Sequence, residues 1–351
     1  MKKLIYLPVC LGMLFFSAAC ENWFDVSPKS DVKAEDLFQQ ESGFRDVLTG
    51  VYSLMSAPES YGRQLSFGYV DVLAQYYNIS GNTHRYIKTK DYLYREPYDK
   101  EVLSTIWSRQ YKGIANLNAM LMFIDEQRGV FSGDEVYRIY KGEILALRGM
   151  LHFDMLRLFG PLTSELDKES IPYQTNSDQT VTPLLSGSEV VGLILDDLKN
   201  AVGLLKDTDP YFVEEEFSDT DLNYRRFRMN YFAAKGLMAR VQLWGGDKEK
   251  AAITAKEVIA EGQAEGAEFF PFVTNSEATS SNPDRVFYSE VLFGTYHSSR
   301  EKLHEDLFAP TLESTSILTL AGTARRDDLY DNENDYRYSV WSTYNKNGTS
   351  V

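Results

Sequence analysis

The stretch that most constrains the fold of this chain runs from Leu145 to Leu162 and reads LALRGMLHFDMLRLFGPL. Its apolar residues cover every side of a helix rather than one stripe, which predicts a helix buried from several directions. Ser132 and Glu135 have the spacing of an N-terminal capping box, and Gly160-Pro161 predicts where the helix ends. We therefore expect the other helices to pack around this one.

Two cations, Arg148 and Arg157, interrupt the apolar run. A buried arginine needs partners because an unpaired buried charge is very costly. Asp154 has the spacing to pair with Arg157 on the same helix, and we expect acids on packed helices to pair with Arg148. These three residues, together with Trp107 on an apolar helix face, are interpreted as structural.

Residues 1–19 are typical of a signal peptide, with a short basic start and an apolar run too short to span a bilayer. The segment Ser17-Ala18-Ala19-Cys20 resembles a lipobox. Cys20 would be the only cysteine of the mature chain, which excludes an intrachain disulfide and favours a lipid anchor at this residue. The alternative is a secreted soluble protein, because the small residues at positions 17 and 19 also suit ordinary signal peptidase.

The composition limits the classes of function. A formal net charge of −15 argues against nucleic acid and against an anionic membrane face as partners. The chain has no GxSxG, Walker, GxGxxG or CxxC motif, and His304-Glu305 lacks the second histidine of a zincin site. We therefore predict no catalytic residue, no cofactor and no metal site. The paired carboxylates of a glycosidase have no sequence signature among 51 acidic residues.

Three helical hairpins in series are predicted between about residues 35 and 262. Apolar residues recur at three- and four-residue steps from Asp99 to Gln127, and a short turn makes this helix an antiparallel neighbour of the buried one. Ser186 and Glu189 have capping-box spacing before another apolar stripe. Residues 228–260 place small side chains at tetratricopeptide-like spacings around a Gly-Gly-Asp turn. The pattern predicts a mostly α, helical-repeat superhelix.

The helical pattern fades from about residue 263, and residues 263–351 are predicted to be irregular. Within them, residues 286–297 alternate between apolar and polar positions, which predicts a strand. At the other end of the chain, the first helix is expected to start at Glu35 or Ser42 and to end at Ala57, before a proline.

Several segments resemble the SusD/RagB family of Bacteroidetes outer-membrane lipoproteins. RGMLHFDMLRLFGPL is similar to the signature helix of that family, and further similar segments follow the family order. These segments are Asn22–Pro28, Trp107-x3-Tyr111-x2-Ile114-Ala115-Asn116, residues 194–201 and residues 286–297. Family members are usually longer, so we expect the chain to be truncated at its C-terminus.

The resemblance implies one SusD-like domain over residues 35–351, after a signal peptide (1–19) and a lipidated tether (20–34). It implies a tetratricopeptide-like fold with irregular loops that form a ligand-binding face. The implied function is capture of glycan at the cell surface, without covalent chemistry, and delivery to a TonB-dependent, SusC-like transporter in the outer membrane. The alternatives are a peptide-binding, RagB-like uptake protein, a surface glycosidase and a helical-repeat scaffold without a ligand.

An aromatic-rich segment, Tyr61–Tyr98, is the candidate ligand-binding face, and we call it the Tyr-rich segment. Flat apolar rings beside asparagine and arginine suit sugar rings or extended peptides. The candidate ligand-binding residues are Tyr76, Tyr77, Asn78, Asn82, Arg85 and Tyr86, with Tyr288 and Tyr296 as further candidates. The alternative is that these tyrosines pack against the helical repeat.

Overall fold

The computed structural model describes residues 33–79, 81–178, 180–211, 220–264, 267–284 and 286–320, with short pieces at 327–330, 332, 334–335, 345–346 and 349–350. This part of the chain is mostly helical, which confirms the predicted fold class. Its helices are α1 (Ala34–Leu37), α2 (Glu41–Ser56), α3 (Tyr69–Leu73), α4 (Pro97–Phe123), α5 (Asp134–Phe159), α6 (Gly187–Leu205), α7 (Tyr231–Trp244), α8 (Lys248–Gly262), α9 (Asn275–Ala278) and α10 (Arg300–Leu307). Strand β1 (Gln263–Ala264) pairs with β2 (Ala267–Glu268), and β3 (Asn345–Lys346) pairs with β4 (Thr349–Ser350), both antiparallel.

Helix α5 is the centre of the helical core, as its sequence predicts. Its buried residues lie on every side of the helix, from Val136 to Leu156. Helices α4, α6 and α7 pack against α5, and α8 extends the layer by packing against α7.

The predicted capping box of α5 is wrong. The helix begins at Asp134 with Gly133 at the N-cap, and neither Ser132 nor Glu135 makes a cap hydrogen bond. Instead, the backbone N–H of Ser132 donates to the carboxylate of Glu41 on α2 at 2.6 Å. This tertiary contact holds Ser132 outside the helix, so the local capping pattern is not used.

The helical hairpin predicted over residues 228–260 is present as α7 and α8. The turn between them places Gly246 at φ +92°, a conformation that glycine adopts without steric cost. Asp247 then caps α8 by accepting a hydrogen bond from a backbone N–H of the first turn. The predicted capping box of Ser186 and Glu189 is also present at the start of α6.

Helices α5 and α6 approach each other closely at glycines. A Cβ atom on Gly142 would lie 2.7 Å from Cγ of Leu205, and one on Gly149 would lie 3.3 Å from Cγ of Leu198. The absence of side chains at these two positions of α5 therefore lets α6 pack against its backbone.

Arg148 pairs with an acid on a packed helix. Its Nε and Nη2 atoms donate to the two carboxylate oxygens of Asp197 on α6, at 2.7 and 2.6 Å. Its Nη1 atom donates to Asn118 on α4 at 3.0 Å. Both members of the ion pair are largely buried, so one guanidinium joins α4, α5 and α6.

Arg157 is not the buried cation that the apolar run predicted. Its side chain is 45% exposed, and it donates to Asp154 at 2.9 Å, because the last turn of α5 reaches the surface. Asp154 also accepts a hydrogen bond from the hydroxyl of Tyr61 at 2.7 Å, which ties the Tyr-rich segment to α5. Trp107 is half-buried, with its ring centroid 5.0 Å from that of Phe159.

A buried ionic group that sequence reasoning missed joins α5 to the segment before α7. Glu143 on α5 accepts hydrogen bonds from Arg225 at 2.5 Å and from Arg228 at 2.9 Å. Arg225 also donates to both carboxylate oxygens of Asp209, at 3.1 and 2.8 Å. All four side chains are buried, so each charge depends on the others for compensation.

Two predicted elements differ from those observed. The strand predicted over residues 286–297 is wrong, because Phe287 has φ +52° and Tyr288–Glu290 form a 3₁₀ turn, which interrupts an extended chain. For the first helix, the start at Ser42 is confirmed to within one residue by α2, whereas a continuous helix from Glu35 is wrong, because Gln40 is extended and separates α1 from α2.

The N-terminal predictions fall on residues 1–32, which lie outside the described residues. They include the signal peptide, Cys20 and most of the tether, so the division of the chain into these parts stays a prediction. No helix in the described part is both long and apolar enough to cross a bilayer.

Candidate functional site

The Tyr-rich segment folds against residues 300–320. Tyr77 and Leu320 form an antiparallel bridge, and the backbone N–H of Asn78 donates to the oxygen of Thr319 at 2.8 Å. Beneath this contact lies a second apolar cluster, formed by Val72, Ile79, Tyr86, Leu307 and Leu318. The two parts of the chain, far apart in sequence, therefore form one structural unit.

The predicted ligand-binding role of Tyr86 is wrong. Its side chain is fully buried, its hydroxyl donates to Gln64 at 3.4 Å, and its ring meets the ring of Tyr98 edge-on. Burial raises the pKa of the Tyr86 hydroxyl, so it stays protonated. Tyr86 fills the seam against residues 300–320, and a ligand at the surface has no access to it.

The remaining candidates of this segment differ in exposure. Asn78, Asn82 and Arg85 are exposed, so they are available to a ligand. Tyr76 and Tyr77 are half-buried, and the hydroxyl of Tyr77 donates to Asp71 at 3.3 Å. The polar candidates, which we call the polar edge of the segment, are therefore at the surface. The tyrosine candidates do not form the most exposed aromatic surface of the segment.

The exposed aromatic surface lies a few residues later, at Tyr92, Leu93 and Tyr94. These side chains are 49%, 44% and 46% exposed, and the two tyrosine rings are 6.3 Å apart with a 55° tilt. We call these three residues the Tyr92–Tyr94 step. Sequence reasoning missed it as a site, although three consecutive large apolar residues in a charged stretch are a visible signal.

Two residues near the step adopt a rare backbone conformation, one on each of two loops that contact each other. Tyr92 and Gln75 have φ of +58° and +59°, which cost about 1–3 kcal/mol each in non-glycine residues. The Gln75 side chain donates to the oxygen of Lys90 at 2.9 Å, and the Tyr92 hydroxyl donates to the oxygen of Leu73 at 3.1 Å. The Lys90 ammonium donates to the oxygen of Ile79 at 3.0 Å. These bonds hold the step in place before any ligand binds.

Tyr288 and Tyr296 form a separate aromatic group around Phe227. Their ring centroids lie 6.0 and 5.9 Å from that of Phe227, and both tyrosines are exposed. The guanidinium of Arg226 lies 4.8 Å from the ring centroid of Tyr288. The predicted candidates thus belong to two places on the surface rather than to one. Among the described residues, no group of three or more histidine, cysteine, aspartate or glutamate side chains is placed to hold a metal ion.

Comparison with known families identifies the chain. The model of the SusD-like family described as starch-binding and associating with the outer membrane matches residues 22–243. The chain belongs to this family. The match includes the Tyr-rich segment and α1–α6, so the candidate site around the Tyr92–Tyr94 step lies inside it. No curated protein matches this SusD-like protein.

Solved structures share the fold of this SusD-like protein. A SusD-like carbohydrate-binding protein from Bacteroides vulgatus is 18% identical with a TM-score of 0.63, over 86% of this chain and 60% of that chain. A SusD superfamily protein from Bacteroides thetaiotaomicron is 20% identical with a TM-score of 0.60, over 90% and 66%. A laminarin-binding SusD-like protein is 20% identical with a TM-score of 0.51, over 69% and 49%.

These likenesses confirm the tetratricopeptide-like helical fold. This SusD-like protein spans about half to two thirds of the length of the structures that it matches.

Proposed function

We propose that this protein captures oligosaccharide at the cell surface and delivers it to a TonB-dependent, SusC-like transporter in the outer membrane. Membership of a family described as starch-binding and associating with the outer membrane supports sugar as the ligand. The laminarin-binding relative supports β-glucan as a second ligand class to test beside starch. Delivery to the transporter rests on the family resemblance.

The observation that carries the proposal is the exposed pair of tyrosine rings at the Tyr92–Tyr94 step, which belongs to the same segment as three exposed polar side chains. A sugar ring has apolar C–H groups on its faces, and the two tilted tyrosine rings offer surfaces on which to stack them. The exposed side chains of Asn78, Asn82 and Arg85 supply donors and acceptors for sugar hydroxyls. Aromatic faces and a few polar groups are what a sugar site needs.

We infer that the protein binds its ligand without covalent chemistry. The description of the family names binding rather than catalysis, and the sequence has none of the common catalytic motifs. Incubation with each bound glycan, followed by chromatography of the products, separates this proposal from a surface glycosidase. Shortened glycan would contradict it.

We also infer that the protein is attached to the outer membrane through lipid at Cys20, with residues 20–34 as the tether of the domain at 35–351. The transporter partner is tested by affinity purification of the tagged protein from its own membranes. A SusC-like transporter is expected in the complex with or without glycan. If the complex forms but no glycan or peptide binds the protein alone, a ligand-free scaffold is favoured instead.

The test of the site is a Tyr92→Ala/Tyr94→Ala variant. Removing both rings should weaken glycan binding by about 1–3 kcal/mol, because stacking surface is lost, while the helical core does not depend on these exposed side chains. Isothermal titration with maltoheptaose and with laminarin oligosaccharides measures the change. Tyr86→Phe is the matched control, since it removes only a buried hydroxyl of the same segment and should leave affinity unchanged.

Two results would contradict this assignment. Equal affinity of the folded double variant and wild type would place the site elsewhere. Binding of peptides but of no oligosaccharide would favour the RagB-like alternative.

A further inference from the structure

A cleft of about 490 Å³ lies between the loop before α7 and residues 273–289. One wall carries the guanidinium of Arg226, and Tyr288 lines the cleft beside it. Much of the remaining lining consists of hydroxyl and amide side chains, from Ser276, Ser280 and Asn282. Apart from Arg226, the residues that line the cleft lie outside the part of the chain that the family model matches.

The backbone that carries Tyr288 is held by local contacts. Phe287, just before it, has φ of +52°, which is rare for a bulky residue. The carboxylate of Asp284 accepts hydrogen bonds from the backbone N–H groups of Val286 at 3.0 Å and Tyr288 at 2.7 Å. Tyr288 therefore remains 41% exposed although its backbone is tightly held.

This backbone pattern repeats what is seen beneath the Tyr92–Tyr94 step. Of the four described non-glycine residues with positive φ, Gln75 and Tyr92 support that step, and Phe287 supports Tyr288. Such conformations persist where the surrounding structure imposes them, and they cluster at ligand-binding sites. Exposed tyrosines next to residues with positive φ thus occur at two separate places, the Tyr92–Tyr94 step and Tyr288.

Arg226 has one donor without a partner. Its Nη2 atom donates to the backbone oxygens of Phe269 at 2.8 Å and Ser289 at 3.3 Å, which joins the two sides of the cleft. Its Nε atom is buried and has no hydrogen-bond partner in the protein. Buried donors are nearly always satisfied, so this N–H is an exception among the described residues, and the cleft offers its hydroxyl and amide side chains rather than Nε to a ligand.

The charges around the cleft select the class of ligand. Glu277 and Asp284 line it together with Arg226, so the lining carries two carboxylates and one guanidinium. The guanidinium is also engaged by two carbonyls and by the ring of Tyr288. A neutral, hydroxyl-rich ligand suits this lining, whereas an anionic sugar would meet a net negative charge.

We infer that this cleft is a second saccharide subsite, which takes one neutral sugar unit and is separate from the Tyr92–Tyr94 step. The apolar face of the sugar packs on Tyr288, and its hydroxyls bond to the serine and asparagine side chains that line the cleft. The inference rests on the proposed function, since it names a second place for the same class of ligand.

The experiment uses four proteins: wild type, Tyr92→Ala/Tyr94→Ala, Tyr288→Ala and the triple variant. A panel of neutral oligosaccharides, with α- and β-glucan, xylan, mannan and galactan fragments, is titrated by calorimetry beside oligogalacturonate as the anionic probe. The double variant should keep residual binding of the neutral probe, and adding Tyr288→Ala should weaken that residual binding about tenfold. Tyr288→Phe in the double-variant background should retain it, because the ring remains.

The outcomes separate this inference from the proposed function. If Tyr288→Ala changes affinity in neither background while the double variant binds more weakly than wild type, the second subsite is overturned and the proposed site stands. If Tyr288→Ala abolishes binding while the double variant equals wild type, the cleft is supported and the proposed site falls. Tighter binding of oligogalacturonate than of neutral oligosaccharides at the cleft would contradict a neutral sugar as its ligand. A wild-type protein that binds no saccharide would overturn both the second subsite and the proposed function.

Discussion

One buried imidazole is a group whose protonation opposes folding in acid. The Nε2 atom of His152 accepts a hydrogen bond from the backbone N–H of Gln174 at 3.0 Å, so Nδ1 must carry the proton that bonds to the oxygen of Arg148 at 2.9 Å. The ring stacks on Tyr173 with centroids 4.0 Å apart. Burial, with a contribution from the charge of Arg148, lowers the pKa of His152 to about 3.

We predict that His152 makes the fold less stable in acid. Its pKa is lower in the folded protein than the ordinary value of 6.5, so the unfolded chain takes up the proton first. The stabilising contribution is complete above about pH 6.5 and is lost as the pH falls toward about 3, by up to ~1.4 kcal/mol per pH unit. Urea unfolding of wild type and His152→Gln over this range measures it, and the variant should show the shallower pH dependence.

His304→Gln is the control for this prediction. His304 is exposed on α10, so its removal should leave the pH dependence of stability close to that of wild type. Parallel profiles for wild type and His152→Gln would mean that the buried imidazole is not the group that responds.

The second prediction at this scale concerns the buried ion pair. In Arg148→Met, the carboxylate of Asp197 stays buried. It keeps the hydrogen bond from the hydroxyl of Tyr173 but loses the ion pair with the guanidinium. The free energy of unfolding should fall by roughly 3–5 kcal/mol. Arg157→Met is the matched control on the same helix, because its pair is partly exposed and should contribute under about 1 kcal/mol. Equal losses from the two variants, measured by urea unfolding, would refute this account.

At the scale of the elements, the contact between α5 and α6 depends on a missing side chain. Gly142→Ala would place a methyl group 2.7 Å from Cγ of the buried Leu205, which leaves no space without a shift of α6. We predict a loss of about 1–3 kcal/mol in the free energy of unfolding. Thermal or urea unfolding measures this change.

The control lies on the partner helix. Gly192 is an exposed interior residue of α6, and a Cβ there meets nothing within 4 Å. Gly192→Ala should therefore stabilise the protein by about 0.5–1 kcal/mol, since alanine favours the helix and restricts the unfolded chain. If Gly192→Ala also destabilises the protein, the loss in Gly142→Ala cannot be assigned to the contact between α5 and α6.

The elements show which features were predictable. An apolar surface on every side of α5 requires burial, and a cation within it requires an acid, so the core and the need of Arg148 for a partner followed from local sequence. Which acid it meets depends on the packing of α6, so Asp197 did not follow. Local alternation predicted a strand near Tyr288, but the positive φ of Phe287 is imposed by contacts that alternation does not report.

The site was less predictable than the core because exposure in the Tyr-rich segment is decided from outside it. Residues 300–320 cover Tyr86 and leave Tyr92 and Tyr94 at the surface. Whether residues 300–320 cover a given tyrosine depends on tertiary packing, which the local sequence of the segment does not report. Sequence reasoning therefore named exposed polar residues of the segment, but its candidates also included Tyr86, which is buried.

At the scale of the whole molecule, the net charge and the proposed lipid anchor both bear on attachment to the membrane. A net charge of −15 gives no electrostatic attraction to anionic lipid headgroups, and no helix in the described part is suited to span a bilayer. The description of the family indicates association with the outer membrane. The lipid anchor proposed at Cys20 would hold the protein at the membrane, because each buried CH₂ contributes about 0.8 kcal/mol and more than one acyl chain gives stable binding.

The last prediction tests that anchor at Cys20. In Cys20→Ala no thiol remains for lipidation, while small residues at positions 17 and 19 still permit cleavage by ordinary signal peptidase. The variant should move from the detergent phase to the aqueous phase on Triton X-114 partition and should lose metabolic labelling with palmitate. Cys10→Ala is the matched control, because Cys10 lies in the predicted signal peptide and should leave both readouts unchanged. Retention of Cys20→Ala in the detergent phase, after cleavage shown by mass spectrometry, would mean that a surface of the folded protein rather than a lipid holds it at the membrane.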